Sequence, residues 1–296
     1  SYSLNHRTRA FLKVQDGCDY KCSFCTIPLA RGKSRSNTIS NVIDNVHKIA
    51  SENIKEIVLT GINLGDFGAN SNDSIQYNFF DLVKELDKLD LNVRFRISSI
   101  EPNLLTDEII EFISTSKNFV HHFHIPLQSG SDRVLKLMRR RYDSKLYNSR
   151  IKMINQLMPD ACIGVDVIVG FPGEDDHEFL KSISFIEDLD ISYLHVFKYS
   201  ERDNTHAITL PKIVNSKIRT KRSKLLRLLS SRKKAGFYNK NIGTIHQVLF
   251  ESEDKNGFIE GFSSNYVRFR RKWDPSLAGS IVESKFTKID SEGFAI

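Results

Sequence analysis

Three of the four cysteines fall within eight residues, in the string Gly17-Cys18-Asp19-Tyr20-Lys21-Cys22-Ser23-Phe24-Cys25, and the fourth, Cys162, stands alone. Their spacing is C-x3-C-x2-C. Disulfides at such short separations fit poorly, and an odd cluster leaves a thiol over. Thiolates this close can converge on one metal centre, and their number is informative. Structural zinc sites and ordinary electron-transfer clusters take four protein ligands. A cubane [4Fe–4S] cluster held by three thiolates keeps one iron open. That iron can chelate the amino and carboxylate groups of S-adenosylmethionine, and an electron from the cluster can then break a carbon–sulfur bond to give a 5′-deoxyadenosyl radical. Two other readings stay open: a zinc site completed by a histidine, and plain unligated thiols. The spare imidazoles are His121, His122 and His124. Strand alternation puts His122 and His124 on one face and His121 on the other, as core or pocket residues before ligands. Cys162 lies in a β pattern and reads as a buried core thiol.

These cysteines need a scaffold, and the chain supplies a regular one. Apolar, β-branched runs recur at 10–14, 56–60, 93–97, 120–125, 164–169 and 193–197. Helical patterns separate them: Val42, Ile43, Val46 and Ile49 share a face, as do Leu82, Val83, Leu86 and Leu89, and later Phe179, Ile183 and Ile186. Thr106 with Asp107 and Glu108, and Ser131 with Asp132, read as helix starts. Strands alternating with helices imply parallel βαβ units. Six repeats are too few for a closed eight-fold barrel, so the α/β expectation is an open or partial (βα)6 barrel. Its site lies at the C-terminal strand ends, where the cysteines follow the first strand.

Composition supports a folded chain. Of 296 residues, 40% are hydrophobic and 27% charged, which excludes a disordered polymer. No apolar run reaches the roughly 18 residues of a membrane span, and no signal-peptide core opens the chain. The first residues, Ser1 to Asn5, lack a start Met, as in a processed or excised protein. Free thiols and no membrane segment lead to a cytoplasmic expectation. The net charge of +7 is uneven. The stretch 212–240 holds eleven Lys/Arg and no acid, so the remainder is about −4. A basic segment on an acidic body suggests a polyanion, RNA or DNA before membrane, unless it is simply a solvated helix face. Ile218, Leu225, Leu226, Leu228 and Leu229 make that segment a long amphipathic helix. After it come only short strands, 244–250, 257–262, 266–269 and 280–286. They read as a small five-strand, OB-like module. The expected division is 1–240 and 241–296.

The longer strings resemble a known family. Phe24 beside the cysteines resembles the radical S-adenosylmethionine superfamily. Phe11-Leu12-Lys13-Val14-Gln15-Asp16-Gly17 and Thr26-Ile27-Pro28-Leu29-Ala30-Arg31-Gly32 around them resemble its methylthiotransferases. The likeness is strongest to those acting on N6-threonylcarbamoyladenosine in tRNA. Gly61-Ile62-Asn63-Leu64-Gly65, Arg96-Ile97-Ser98-Ser99-Ile100-Glu101-Pro102, Pro126-Leu127-Gln128-Ser129-Gly130 and Gly170-Phe171-Pro172-Gly173-Glu174 continue the likeness along the chain, which ends in a module similar to the TRAM domain.

The resemblance implies a [4Fe–4S] cluster on Cys18, Cys22 and Cys25 and S-adenosylmethionine held by Phe24, Gly61, Asn63, Ser98, Ser99, Glu101, Gln128, Gly170 and Phe197. Each rim segment also has a plain reading: a βα turn at 61–65, helix capping at 98–101, a turn at 170–173. The implied reaction removes hydrogen from C2 of the adenine beside the anticodon and places methylated sulfur there. The implied partners are a tRNA anticodon stem-loop and an electron donor of flavodoxin or ferredoxin type, with the protein a monomer. RNA contacts are expected from Arg222, Arg227 and Lys233 of the basic helix and from Arg268, Arg270 and Arg271, which interleave with Tyr266, Phe269 and Trp273; a charge-protected edge strand is the alternative. Arg139-Arg140-Arg141 is a weaker candidate for the same surface. Family members carry an upstream domain with a second [4Fe–4S] cluster tied to sulfur delivery, and the sequence here lacks its cysteines. The segment 199–207 also departs from a more Pro/Gly-rich family loop. The competing functions are a ribosomal-protein aspartate methylthiotransferase, a non-catalytic RNA-binding fragment and a zinc-binding nucleic-acid module.

Overall fold

The computed structural model describes residues 2–3, 8–69 and 76–296. Ser1, Leu4 and Asn5 of the opening segment lie outside them. Six parallel strands form the barrel wall: β1 (Arg9–Lys13), β2 (Glu56–Thr60), β3 (Arg94–Ile97), β4 (His122–His124), β5 (Cys162–Val169) and β6 (Tyr193–Lys198). They pair in chain order as β1-β2-β3 and β4-β5-β6. The halves join at a parallel bridge, Phe95 to Phe119, where Val120 N donates to the Phe95 carbonyl at 3.0 Å, and higher up where Ile100 N donates to the His124 carbonyl at 3.1 Å. This is the partial barrel the sequence implied. The expected strand at 120–125 shortens to three residues, because Val120 is taken up in that joint.

Helices α1 (Ile27–Arg31), α2 (Ile39–Ser51), α3 (Phe79–Asp87), α4 (Asp107–Thr115), α5 (Asp132–Leu137), α6 (Ser144–Leu157), α7 (Asp176–Asp188) and α8 (Ser216–Lys240) fill the connections. Val42, Val46 and Ile49 of α2 and Leu82, Val83 and Leu86 of α3 are fully buried. Each such side chain is worth roughly 1.5–3 kcal/mol against exposure. Asn78 and Asp81 form a capping box on α3. Thr106 precedes α4 as expected, yet its hydroxyl makes no capping bond.

The last strand, β6, has an open edge. Helix α8 covers it: Ser230 Oγ accepts from Leu194 N at 2.8 Å and donates to the Leu194 carbonyl at 3.0 Å. The packing face of α8 differs from the apolar stripe the sequence implied. Leu226 and Leu229 are buried, but Ile218, Leu225 and Leu228 are exposed, and Arg219, Arg222 and Ser223 take the inner positions. Buried ion pairs replace hydrocarbon on that face, so hydrophobicity alone misplaces it.

Beyond α8 lies a four-stranded antiparallel sheet, β7 (Ile245–Asp254), β8 (Phe258–Ser263), β9 (Arg268–Lys272) and β10 (Ile281–Lys285), in the order β9-β8-β7-β10. The expected fifth strand is reduced to bridges at Ala295. Val248, Phe250, Ile259, Val267, Phe269 and Phe286 form its separate core, and Tyr238 from the end of α8 joins them.

This sheet docks on the N-terminal ends of the barrel strands. Arg94 donates to the carbonyls of Gln247 (3.0 Å) and Phe262 (2.9 Å), Asn265 donates to the Asp160 carbonyl (2.9 Å), and Arg9 pairs with Glu251 (3.1 Å). Glu56, wholly buried, sits between Arg94 (2.7 Å) and Arg96 (3.0 Å). Burial pushes its carboxyl up, but Arg96 and Arg94 outweigh that and hold it well below the carboxylate range. The C-terminal module therefore faces the end of the barrel opposite the cysteine loop.

Candidate cluster site at the barrel rim

The loop at 18–25 leaves the C-terminal end of β1 and is held in shape by polar clamps. Gln15–Asp16 pairs antiparallel with Arg35–Ser36. Gly17 has φ +72°, and a Cβ there would lie 2.0 Å from the Lys33 carbonyl oxygen, so only glycine fits. Cys18 N donates to the Gly32 carbonyl at 3.1 Å. On the far side Ser23 Oγ donates to the Leu137 carbonyl (2.8 Å) and Ser23 N to the Met138 carbonyl (3.0 Å). Phe24 packs edge-on against Phe171, with the ring centres 6.3 Å apart.

All three thiols stay partly accessible and free of disulfides, whereas Cys162 is buried in β5. Burial pushes the Cys18 thiol up to about 11, with Asp66, Cys22 and Cys25 adding to the rise. Burial also raises Cys22, against an opposing pull from Arg140. The thiols thus sense one another's charge. Three accessible thiols on one clamped loop are the donor set of a cluster that keeps one iron open, whereas a structural zinc takes four protein ligands.

The sequence-expected rim residues converge on the same end of the barrel. Gly61 and Asn63 follow β2. Gln15, 1% exposed, locks their loop to the cysteine loop: its Oε1 accepts from Ile62 N and Asn63 N, both at 2.9 Å, while its Nε2 donates to the Gly17 carbonyl (2.8 Å) and Ser34 Oγ (2.9 Å). Asn63 Nδ2 donates to Asp66 at 2.6 Å, and its buried Oδ1 has no partner. An orphaned buried acceptor beside the cysteines is suited to an ammonium donor. Ser98 and Ser99 follow β3, half-buried, and Glu101 follows them. Gln128 follows β4 in left-handed backbone, φ +68°, strain of the kind that gathers at functional sites. Phe197, half exposed, lies near the top of β6. Gly170 has another explanation: φ is +74°, a Cβ would meet Arg219 Cγ at 2.3 Å, and its N–H is taken by Glu174 at 2.8 Å. The glycine makes room for an arginine stem.

Sequence reasoning missed the centre of this rim. Arg140, placed with a basic surface run, turns inward with its side chain 4% exposed. Its Nη1 donates to Cys22 Sγ at 3.1 Å, Nη2 pairs with Glu101 and Nε donates to Tyr142 Oη at 3.1 Å. Gln15, Asp66 and Asn103 were also missed; Asn103 Nδ2 donates to Tyr20 Oη at 2.7 Å. The partners of Arg140 and Asn103, and the 61–63 loop that Gln15 holds, lie tens of residues away, so no local spacing announces them. His122 and His124 do face inward, and His124 bonds Asp166 at 3.0 Å; His121 faces out to Asp160.

Several expected RNA contacts have other employment. Arg222 is buried and bonds Glu174 and Asp176, both at 2.7 Å, so it is withdrawn from solvent. Lys233 caps the end of α7 through the Glu187 and Leu189 carbonyls. Arg270 is 12% exposed among Glu260, Asp290 and Glu292. Arg227, Arg268 and Arg271 remain exposed, and alternation along β9 buries Val267 and Phe269 as expected. No helix among the described residues is long and apolar enough to cross a membrane.

The radical SAM superfamily pattern matches residues 12–186. The chain is 40% identical to the threonylcarbamoyladenosine tRNA methylthiotransferase MtaB of Bacillus subtilis over 97% of its length and 64% of that protein's. It is 33% identical to the tRNA-2-methylthio-N(6)-dimethylallyladenosine synthase of the same organism, over 95% of its length and 55% of the relative's. It thus spans roughly three fifths of these relatives. Among solved structures, the radical S-adenosylmethionine methyltransferase TsrM from Kitasatospora setae superposes with a TM-score of 0.56 at 14% identity, over 67% of this chain and 35% of that one. Methylornithine synthase PylB gives 0.51 at 14% identity, over 76% and 62%. These two share the fold. That superfamily uses a [4Fe–4S] cluster and S-adenosylmethionine. The chain belongs to the radical SAM superfamily.

Proposed function

We propose that the chain is the radical core of a tRNA methylthiotransferase that converts N6-threonylcarbamoyladenosine beside the anticodon to its 2-methylthio form. The observation that carries this is the 40% identity to a threonylcarbamoyladenosine tRNA methylthiotransferase across nearly the whole chain, cysteine loop and C-terminal module included. Cys18, Cys22 and Cys25 would hold the cluster. When bound, the cluster and S-adenosylmethionine would supply the one-electron chemistry that opens an unreactive C–H bond.

The protein's part is to fix geometry. Gln15 makes the cysteine loop and the 61–63 loop one rigid unit. Asn63 Oδ1 offers an acceptor to the cofactor's amino group. Arg140 orients Cys22 and Glu101 from below and keeps a positive charge beside the thiolate. Phe197 and Gln128 border the upper lumen, where an adenine would enter. An electron donor of flavodoxin or ferredoxin type would serve the site, and sulfur transfer would draw on the second cluster the resemblance implies. The test is nucleoside mass analysis of tRNA, with a digest of ribosomal protein in parallel, after incubation with reconstituted full-length enzyme. A methylthio gain on threonylcarbamoyladenosine supports the reading. A gain on a protein aspartate instead, or none on either, contradicts it.

A further inference from the structure

A second cavity, with Cys162 in its wall, lies at the end of the barrel opposite the cysteine loop. It is about 350 Å3, within the roughly 300–1,000 Å3 of small-molecule sites, and opens between α8, the lower end of β6 and the C-terminal sheet. Its walls include Tyr193, His195, Phe237, Tyr266, Lys234 and Arg268. No acidic residue lines it. Tyr266 is held in left-handed backbone, φ +64°, with its ring 4.4 Å from His122, stacked 4.8 Å from Phe262, and under the Arg96 guanidinium at 4.3 Å. That strained placement, of order 1–3 kcal/mol, is over-determined by its neighbours. Gly164 leaves room for the Tyr193 ring, since a Cβ there would meet its Cζ at 2.4 Å. The aromatic walls are therefore built in place.

The charge around the slot is positive. Lys234 is exposed, 5.3 Å from the Tyr238 ring. Arg268 is 44% exposed, and its partner Glu260 is shared with Lys255 and Arg270, so one carboxylate faces three cations. Rings with flanking cations and no acid match a base and its phosphates. We propose that this slot takes one unstacked base of a single-stranded RNA segment, with Lys234 and Arg268 on the adjoining phosphates. Tyr193 lies four residues, roughly 13 Å, below Phe197 along β6. The base held here is thus a different nucleotide from the one presented at the rim.

This rests on the tRNA reading above, and the test separates the two. The full chain is titrated with a short RNA hairpin whose loop carries one 2-aminopurine, moved through each loop position in turn. The expected result is quenching at one position, affinity roughly tenfold weaker in Tyr193→Ala with that quenching lost, and recovery in Tyr193→Phe. Lys234→Ala, an exposed change that leaves folding intact, lowers the salt slope by about 0.7. Binding untouched by both Tyr193→Ala and Lys234→Ala overturns the slot alone. Failure of the unaltered protein to bind the hairpin overturns the RNA reading and the slot with it.

Discussion

The cysteine loop and the basic C-terminal third present their side chains in opposite ways. In the loop, the three groups singled out by spacing stay free of disulfides and partly accessible, and the surrounding residues hold them so. In the basic third, the charges singled out by their number are largely spoken for: Arg222 by Glu174 and Asp176, Arg270 by three carboxylates, Lys233 by carbonyls. Ligand chemistry is written locally, because three thiols within eight residues share one loop. A run of cations takes its meaning from acids far away in sequence, which a run cannot reveal.

The largest expected effect is in the loop. Cys18→Ala abolishes the brown colour, the bound iron and the cleavage of S-adenosylmethionine, whereas Arg271→Ala leaves all three intact. Iron analysis and absorbance after anaerobic reconstitution check this, and equal loss in both variants would erase the contrast. Next comes Arg222→Met. It leaves Glu174 buried with one cation fewer, at a cost of about 3 kcal/mol in urea unfolding. Burial already raises that carboxyl to about 7, only partly offset by the Gly170 and Arg222 bonds. A raised carboxyl favours the fold most below its ordinary 4.5 and loses that contribution as pH rises through about 7. The variant is therefore expected to suffer more at about pH 8 than at about pH 5; a flat or reversed profile refutes the buried pair.

Glu56 behaves with the opposite sign. Its lowered carboxyl stabilises the fold above 4.5 and loses that contribution as pH falls. Glu56→Gln leaves Arg94 and Arg96 facing each other. The melting temperature is expected to drop at neutral pH and to approach the parent's in acid; a constant gap across pH would contradict the assignment. Gly17→Ala should cost about 1–3 kcal/mol through the Lys33 clash and weaken iron retention, as read by melting with and without reconstitution. The smallest effect is Arg227→Ala: stability within about 0.5 kcal/mol of the parent, with the RNA salt slope reduced by about 0.7. An unchanged slope would remove that exposed cation from the RNA surface.

The same contrast explains what was legible beforehand. The six strands, their parallel order and the cysteine loop after the first follow from periodicity of two and 3.6 and from thiol spacing. So does the shared face of His122 and His124, opposite His121. The long basic helix was visible, but its packing face was not, since Arg219 and Arg222 occupy positions where hydrocarbon was expected and Ile218, Leu225 and Leu228 point to solvent. Arg140 was read as surface charge because its partners, Cys22 and Glu101, are 118 and 39 residues away. Gln15 gave no local sign of its role either, since one amide side chain joins two loops 47 residues apart. The docking of the C-terminal sheet on the lower barrel depends on Arg94 reaching two carbonyls across the domain boundary, which no pattern encodes.

In the proposed function, three thiols on one clamped loop would carry a cubane with an open corner. Iron, sulfide and zinc should be measured on anaerobically reconstituted protein, together with the electron paramagnetic resonance of its reduced form with and without S-adenosylmethionine. About four iron and four sulfide per chain are expected, with a signal that S-adenosylmethionine reshapes. One zinc per chain without sulfide, or a reduced signal indifferent to S-adenosylmethionine, would contradict that proposal.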